Sequence, residues 1–285
     1  MHRPNCLPDL ARLPRRALLT AGAGLVLVAG GLLPVRAVGQ SGGAIRVAAA
    51  SDLKFALGAI ADSYLRETGQ AVTLNFGSSG NFVQQISQGL PVDLFMSADE
   101  SYVFRLARSG LTRTLEGQQA TATPVYDQGQ RYATGRIALL LPAASTIAAD
   151  AGLTGLKAAW SQVRKFALAN PEHAPYGRAA QQALMSLGLW EMVQPRLVLG
   201  ENIAQATQFV TSGAAQAGIT ALSLALADEV ARSTRHLLLG AQLHQPLHQR
   251  MVLLPSAGAN ARAFYQHLRS PRVRAVLARF GFSDA

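Results

Sequence analysis

The sequence predicts an α/β fold of two lobes, each a mostly parallel sheet flanked by helices, with a cleft between them. Three observations predict it. Strand and helix patterns alternate three times between Ile45 and Gly110, the mark of a parallel sheet covered by helices. A loose polar stretch from Leu111 to Tyr132, with Gly117, Pro124 and Gly129, then separates this set from a second α/β set. Ser51, Ser79, Tyr176 and Ile203 fall at the carboxyl ends of strands, where open α/β sheets bind ligands.

In order, Ile45 to Ala50 reads as a short buried strand. Ser51 is placed to cap the next helix, with Asp52 in its first turn and Leu53, Leu57, Ile60, Ala61, Tyr64 and Leu65 at helical spacing up to Gly69. Ala71 to Phe76 alternates as a strand, Gly77-Ser78-Ser79-Gly80-Asn81 makes a tight joint, and Phe82 to Ile86 suits a helix. Pro91 to Met96 is a third strand, and Ser97-Ala98-Asp99-Glu100 opens a helix that stops at Gly110. The second set begins with a strand from Ile137 to Leu141, a helix from Leu153 to Val163 and a strand from Lys165 to Ala169. Asn170 to Gly177 is a loop stiffened by Pro171 and Pro175, followed by a helix from Arg178 to Leu187. Arg196 to Leu199 is a strand, and Gly200-Glu201-Asn202-Ile203 leads into a helix that ends at Gly213. Strands at Ala217–Thr220, His236–Leu239 and Arg250–Leu254 complete the second set, and helices at Ala259–Leu268 and Pro271–Phe280 close the chain.

Of 285 residues, 49% are apolar and 15% charged, which suits one or two well-packed globular domains. Residues 1–40 are of another kind. Arg12, Arg15 and Arg16 precede an apolar run from Ala17 to Leu33, and small residues follow from Ala37 to Gly43. This is the layout of a cleaved export signal, and Arg15-Arg16-Ala17-Leu18-Leu19 resembles a twin-arginine signal. The apolar run is short and glycine-rich for a membrane span. Residues 1–39 hold five arginines and one aspartate, so cleavage lowers the formal charge from +10 to +6. The basic cluster at Arg262, Arg269, Arg272, Arg274 and Arg279 lacks interleaved aromatics and reads as a solvated face, with no nucleic-acid partner expected. Cys6 is the only cysteine and leaves with the signal, so no disulfide or thiol chemistry is expected of the mature chain.

The joint after Phe76 carries the chemistry. A helix begins with unpaired backbone N–H groups and a partial positive charge, and glycine and serine add close approach and a hydroxyl donor. Such a joint reads as an anion seat, and also as an ordinary serine cap.

Ala48-Ala49-Ala50-Ser51, Phe76-Gly77-Ser78-Ser79-Gly80, Asp93 to Asp99, and Asn170-Pro171-Glu172-His173-Ala174-Pro175-Tyr176-Gly177 occur in a distinctive order and spacing. With the ending Ala263 to Pro271 and Phe280-Gly281-Phe282, they resemble the periplasmic molybdate-binding proteins of ABC transporters, the ModA family, over residues 44–285. The resemblance implies a type II periplasmic-binding-protein fold, with lobe I at 41–130 and 258–285 and lobe II at 131–257. It implies a periplasmic, monomeric binding protein that captures molybdate or tungstate and delivers it to an ABC importer permease. No enzyme activity and no cofactor are implied, and molybdenum enters only as its oxyanion. Carried over, the donors are Ser51, the Asp52 backbone N–H, Ser79, Tyr176 and the Ile203 backbone N–H. The family branch with a phenol at the position of Tyr176 is the one matched.

None of these donors is a cation, and several fixed dipoles in a dry cleft can share an anion's charge. The Asp52 side chain reads as a first-turn acid facing solvent; as an acceptor it would instead favour a protonated anion such as hydrogen phosphate. Lys54 and Arg178 read as ordinary surface charges, with long-range attraction of an anion as the alternative. His173 reads as a loop-fixing residue, and Pro246 between His244 and His248 argues against a metal pair. The same fold binding sulfate or phosphate is the alternative, and an exported hydrolase using Ser51 or Ser79 is a third reading that lacks a base near either serine.

Overall fold

Short apolar strands alternating with amphipathic helices build two five-stranded sheets. The computed structural model describes residues 43–114 and 125–284, so the export signal read in residues 1–40 lies outside the described residues. The chain begins with β1 (Ile45–Ala50), a 3-10 turn at Ser51–Leu53, α1 (Lys54–Thr68), β2 (Val72–Gly77), α2 (Ser79–Ser87), β3 (Leu94–Ser97) and α3 (Glu100–Arg108). After β4 (Gln130–Gly135) it passes to β5 (Ile137–Pro142), α4 (Thr154–Ala158), β6 (Phe166–Ala169), α5 (Pro175–Ser186) and α6 (Trp190–Val193). Then come β7 (Leu197–Gly200), α7 (Ile203–Thr211), β8 (Ala217–Ala221), α8 (Leu222–Ala225), α9 (Asp228–Ala231) and β9 (Thr234–Leu238). β10 (Leu247–Leu253), α10 (Ala259–Leu268) and α11 (Pro271–Arg279) end the chain.

The first sheet runs β2-β1-β3-β10-β4 and the second β7-β6-β8-β5-β9. β1 is parallel to β2 and β3, and β6 is parallel to β7 and β8. β10 is antiparallel to β3 and β4, while β5 is antiparallel to β8 and β9. The strand expected in the second set at Arg250–Leu254 is therefore a first-sheet strand, and lobe II is narrower than 131–257. A strand pattern gives the element and not its partners, which here lie more than a hundred residues away along the chain. The chain crosses between the sheets at Arg136 and again between β9 and β10.

Period sets the packing. Leu57, Ile60, Ala61 and Tyr64 stack on the buried face of α1 and cover the first sheet together with Phe264 and Leu277. The Tyr64 and Phe264 rings sit 4.9 Å apart. The second core gathers Leu139, Phe166, Leu168, Leu184 and Ile219 around α5 and the second sheet. Truncating one such residue, Leu57 for example, costs about 2–5 kcal/mol.

Two local readings change. Ser51 is the first residue of its 3-10 turn rather than a side-chain cap. The helix expected from Arg178 begins at Pro175, because proline lacks the N–H that a first helical residue leaves unpaired and presets its φ. Tyr176 and Gly177 thus lie in a helix's first turn and not on a loop.

Candidate functional site

Ser51, Asp52, Ser79, Tyr176 and Ile203, the five residues singled out in the sequence, all line one small cavity between the lobes, together with Ala50, Gly77, Ser78, Ala98, Ala174 and Pro175. About 10 Å³ of it admits the centre of a water-sized sphere, within about 180 Å³ of space between atoms. That is room for about one water as the lobes stand and excludes a sugar or peptide. Its walls include helix starts. The 3-10 turn at Ser51, α2 at Ser79 and α7 at Ile203 each bring a positive dipole end to it.

The two serine hydroxyls are oriented by what their oxygens accept. Ser79 Oγ accepts the Ala98 N–H at 3.0 Å, and Ser51 Oγ accepts the Ala204 N–H at 3.3 Å. Each oxygen is held by a backbone donor, which leaves its own hydrogen to donate. Ser79 is fully buried and Ser51 nearly so. The Ile203 N–H is the first of α7, whose cap is the Asn202 carboxamide accepting from the Gln205 N–H at 3.1 Å. Its own N–H has no partner within the helix.

The Asp52 side chain differs from its expected place, and in this structure the Tyr176 hydroxyl is engaged by it. The Asp52 side chain does not face solvent: the residue is 1% exposed. Its Oδ2 accepts the Tyr176 hydroxyl at 3.0 Å and the Gln249 amide at 2.6 Å, while its Oδ1 accepts no hydrogen bond. Gln249 Oε1 in turn accepts the Tyr132 hydroxyl at 2.7 Å, which fixes the amide's orientation. The phenolic hydrogen of Tyr176 points to Asp52 in this structure, and Tyr176 also lines the cavity. Burial pushes the Asp52 carboxyl up to about 6, against the lowering effect of Gln249, Tyr176 and the Asp52 and Leu53 N–H groups. Burial, and next the Asp52 charge, holds both Tyr132 and Tyr176 well above the ordinary phenol range.

Sequence reasoning missed Gln249, Tyr132 and Gly135. One signal existed: Gln249 shares the inward phase of β10 with Leu247 and Met251, so a polar group was due to be buried there. At Gly135 a Cβ would overlap the Tyr176 hydroxyl, so only glycine lets the phenol approach.

The lobes touch across the cleft. The Gly80 N–H donates to the His173 carbonyl at 2.9 Å, and Ser223 Oγ donates to the Asp52 carbonyl at 2.7 Å. Arg178 is no isolated surface charge: it meets Asp99 at 2.7 Å and the Tyr102 hydroxyl at 2.8 Å. Ser78 Oγ lies 2.9 Å from His173 Nδ1, with Glu201 3.6 Å from Nε2. That order suggests a hydrolase triad, yet Ser78 Oγ also accepts the Asn81 N–H as the cap of α2, and Glu201 is largely exposed. Lys54 sits outside the cavity on an adjoining groove, its ammonium over the Phe55 ring. Among the described residues, no cluster of His, Cys, Asp and Glu could hold a metal ion, and no helix is long and apolar enough to cross a membrane.

The family model for bacterial extracellular solute-binding proteins matches residues 45–283. The chain belongs to this family. Among its relatives, the molybdate-binding protein ModA of Azotobacter vinelandii is 31% identical, covering 94% of this chain and 96% of the relative. The ModA protein of Rhodobacter capsulatus is 32% identical over 93% of this chain and 96% of its own. The solved structure of a periplasmic molybdate-binding protein from Azotobacter vinelandii superposes with a TM-score of 0.73 at 29% identity, over 85% of this chain and 99% of that one. The family resemblance and the two-lobed binding-protein fold read from the sequence are both borne out.

Proposed function

We propose that the protein is an extracytoplasmic receptor that captures molybdate in the interlobe cavity and delivers it to an ABC importer. The observation that supports it best is the pair of serine hydroxyls, each held by a backbone N–H so that its hydrogen is free to donate, both lining one small cavity between the lobes. Ser51 and Ser79, the Asp52 and Ile203 N–H groups and their helix dipoles form the donor set, and Tyr176 orders the wall. Hydrogen bonds to an ionised acceptor are worth about 1.5–3 kcal/mol each, so four neutral donors are enough to hold a dianion. Tungstate, of the same shape and charge, binds in the same way. The protein acts in the periplasm as a monomer, exported by the signal in residues 1–40, and performs no chemistry on its ligand. The Ser78–His173–Glu201 contact serves as a bridge between lobes; steady ester turnover abolished by Ser78→Ala would reverse that assignment.

A melting-temperature screen of anion-stripped protein against molybdate, tungstate, sulfate and phosphate tests the reading. A ligand at a hundred times its dissociation constant stabilises by about 2.7 kcal/mol, which is readily seen. Molybdate and tungstate should raise the melting point and sulfate should not. Hydrogen phosphate is the second reading, because the Asp52 Oδ1 could accept its proton; stabilisation by phosphate alone would favour it. No shift with any of the four overturns the oxyanion function.

A further inference from the structure

An acid in the wall of an anion site is electrostatically out of place, and Asp52 is such an acid. Building on the oxyanion reading above, we propose that the site takes up its anion together with one proton, held between Asp52 Oδ1 and an oxygen of the ligand. Asp52 is then the residue that decides which oxyanions are retained and at what pH.

The geometry assigns the proton to one atom. Oδ2 already receives two donors, the Tyr176 hydroxyl at 3.0 Å and the Gln249 amide at 2.6 Å. Oδ1 accepts no hydrogen bond of normal geometry and is shut off from solvent, the Asp52 and Leu53 N–H groups lying near the carboxyl and lowering it only in part. A carboxyl proton therefore belongs on Oδ1, where it is a donor seeking an acceptor.

Among the described residues, no cation faces the Asp52 carboxyl to offset the charge instead. Tyr132 from β4 and Tyr176 from α5 are the titratable groups that face the carboxyl, and both stay neutral. β10 offers the uncharged Gln249, and α8 offers the hydroxyl of Ser223, which is spent on the main chain. α2 and α7 contribute Ser79 and Ile203 to the cavity. Lys54 follows in the chain but lies over Phe55 on the outer groove. Asp52 and the proposed donors line one cavity, and an ionised carboxylate beside a bound dianion in a dry site is strongly disfavoured. Burial has already moved the acid toward proton uptake, to about 6.

The bookkeeping is simple. A fully ionised ligand such as molybdate accepts the hydrogen bond from protonated Oδ1, and the proton comes from solvent. A ligand that brings its own proton donates it to ionised Oδ1. No covalent bond is made or broken in either case.

Calorimetric titration of the anion-free protein with molybdate at pH 7.5, in buffers of different ionisation enthalpy, counts the protons. We expect uptake of about one proton per anion and affinity falling about tenfold per pH unit between pH 7 and 8.5, as linkage requires. Asp52→Asn keeps an acceptor for Tyr176 and Gln249 and places an amide donor at the Oδ1 position. It should bind with no proton uptake and a flat pH profile. Binding by the wild type without uptake and without pH dependence overturns the proposal while sparing the oxyanion function. Uptake that survives in Asp52→Asn assigns the proton elsewhere and also overturns it. The wild-type titration decides the matter alone should the variant not fold, and failure of the wild type to bind molybdate at any pH removes both conclusions.

Discussion

A hydroxyl has one hydrogen to give, and what its oxygen accepts decides where that hydrogen goes. At Ser79 the oxygen takes the Ala98 N–H, so Ser79→Ala removes a ligand donor and also strands a buried amide. We expect molybdate affinity to fall at least about tenfold, in line with about 1.5–3 kcal/mol for a hydrogen bond to a charged group. Isothermal calorimetry measures this, and an unchanged dissociation constant would remove Ser79 from the site. Asp52 gives a prediction without ligand. In the folded chain its carboxyl titrates at about 6, above the ordinary value of 3.8. Below about pH 4 both folded and unfolded chains hold the proton; between about 4 and 6 only the folded one does. Stability from this group is therefore full at low pH and is lost as pH rises through that window, by about 3 kcal/mol at one pKa unit per 1.36 kcal/mol. Urea unfolding of the anion-free protein should show Asp52→Asn gaining on the wild type between pH 4 and 7.5. A difference between the two that stays constant over that range would contradict the buried acid.

The elements that matter are helix beginnings, and glycine lets them meet. The start of α2 reaches the other lobe through the Gly80 N–H, and a Cβ at Gly80 would stand 2.6 Å from the His173 carbonyl oxygen. Gly80→Ala should hold the lobes apart, lowering molybdate affinity and enlarging the radius of gyration of the molybdate-saturated protein in small-angle scattering. An affinity equal to the wild type's would show that the contact is dispensable. Elements of this kind were legible to different degrees. The Gly77–Asn81 joint could be read from sequence because a strand, a small-residue turn and a helix are consecutive. Tyr176 is legible as a site residue but its place in a helix's first turn is not, since Pro175 reads equally as a loop stiffener or as a first helical residue. The burial of Asp52 is not legible, because its partners Gln249 and Tyr176 lie 197 and 124 residues away along the chain. Local pattern carries no record of such partners.

Across the whole molecule, the alternation of strands and helices was enough to give two α/β lobes, while the return of β10 to the first sheet was not, since pairing is decided by tertiary packing rather than by the strand's own residues. Closure is aided by Arg178, which joins Asp99 and Tyr102 across the lobes with about a third of its side chain exposed. A pair that open to water is worth about 0–1 kcal/mol and is screened by salt. Arg178→Met should weaken molybdate binding by at most about fivefold at low ionic strength, and the gap should narrow as salt is added. A loss of a hundredfold, or one indifferent to salt, would mean that Arg178 does more than latch the lobes.

Only Arg136 separates β4 from β5, so the hinge lies beside the strands that carry Tyr132 and Gln249. Both of those residues sit in the same sheet as β1, which leads directly into Asp52, whereas Tyr176 belongs to the other lobe. Opening the cleft would therefore divide the partners of Asp52 unequally. The amide stays, the phenol departs, and solvent reaches the carboxyl. Renewed solvation would then lower the carboxyl from about 6 toward the ordinary carboxylate range as the anion is let go. An importer that pries the lobes apart would turn mechanical work into an electrostatic push, with a newly ionised carboxylate expelling the cargo and resisting its re-entry until the receptor has dissociated.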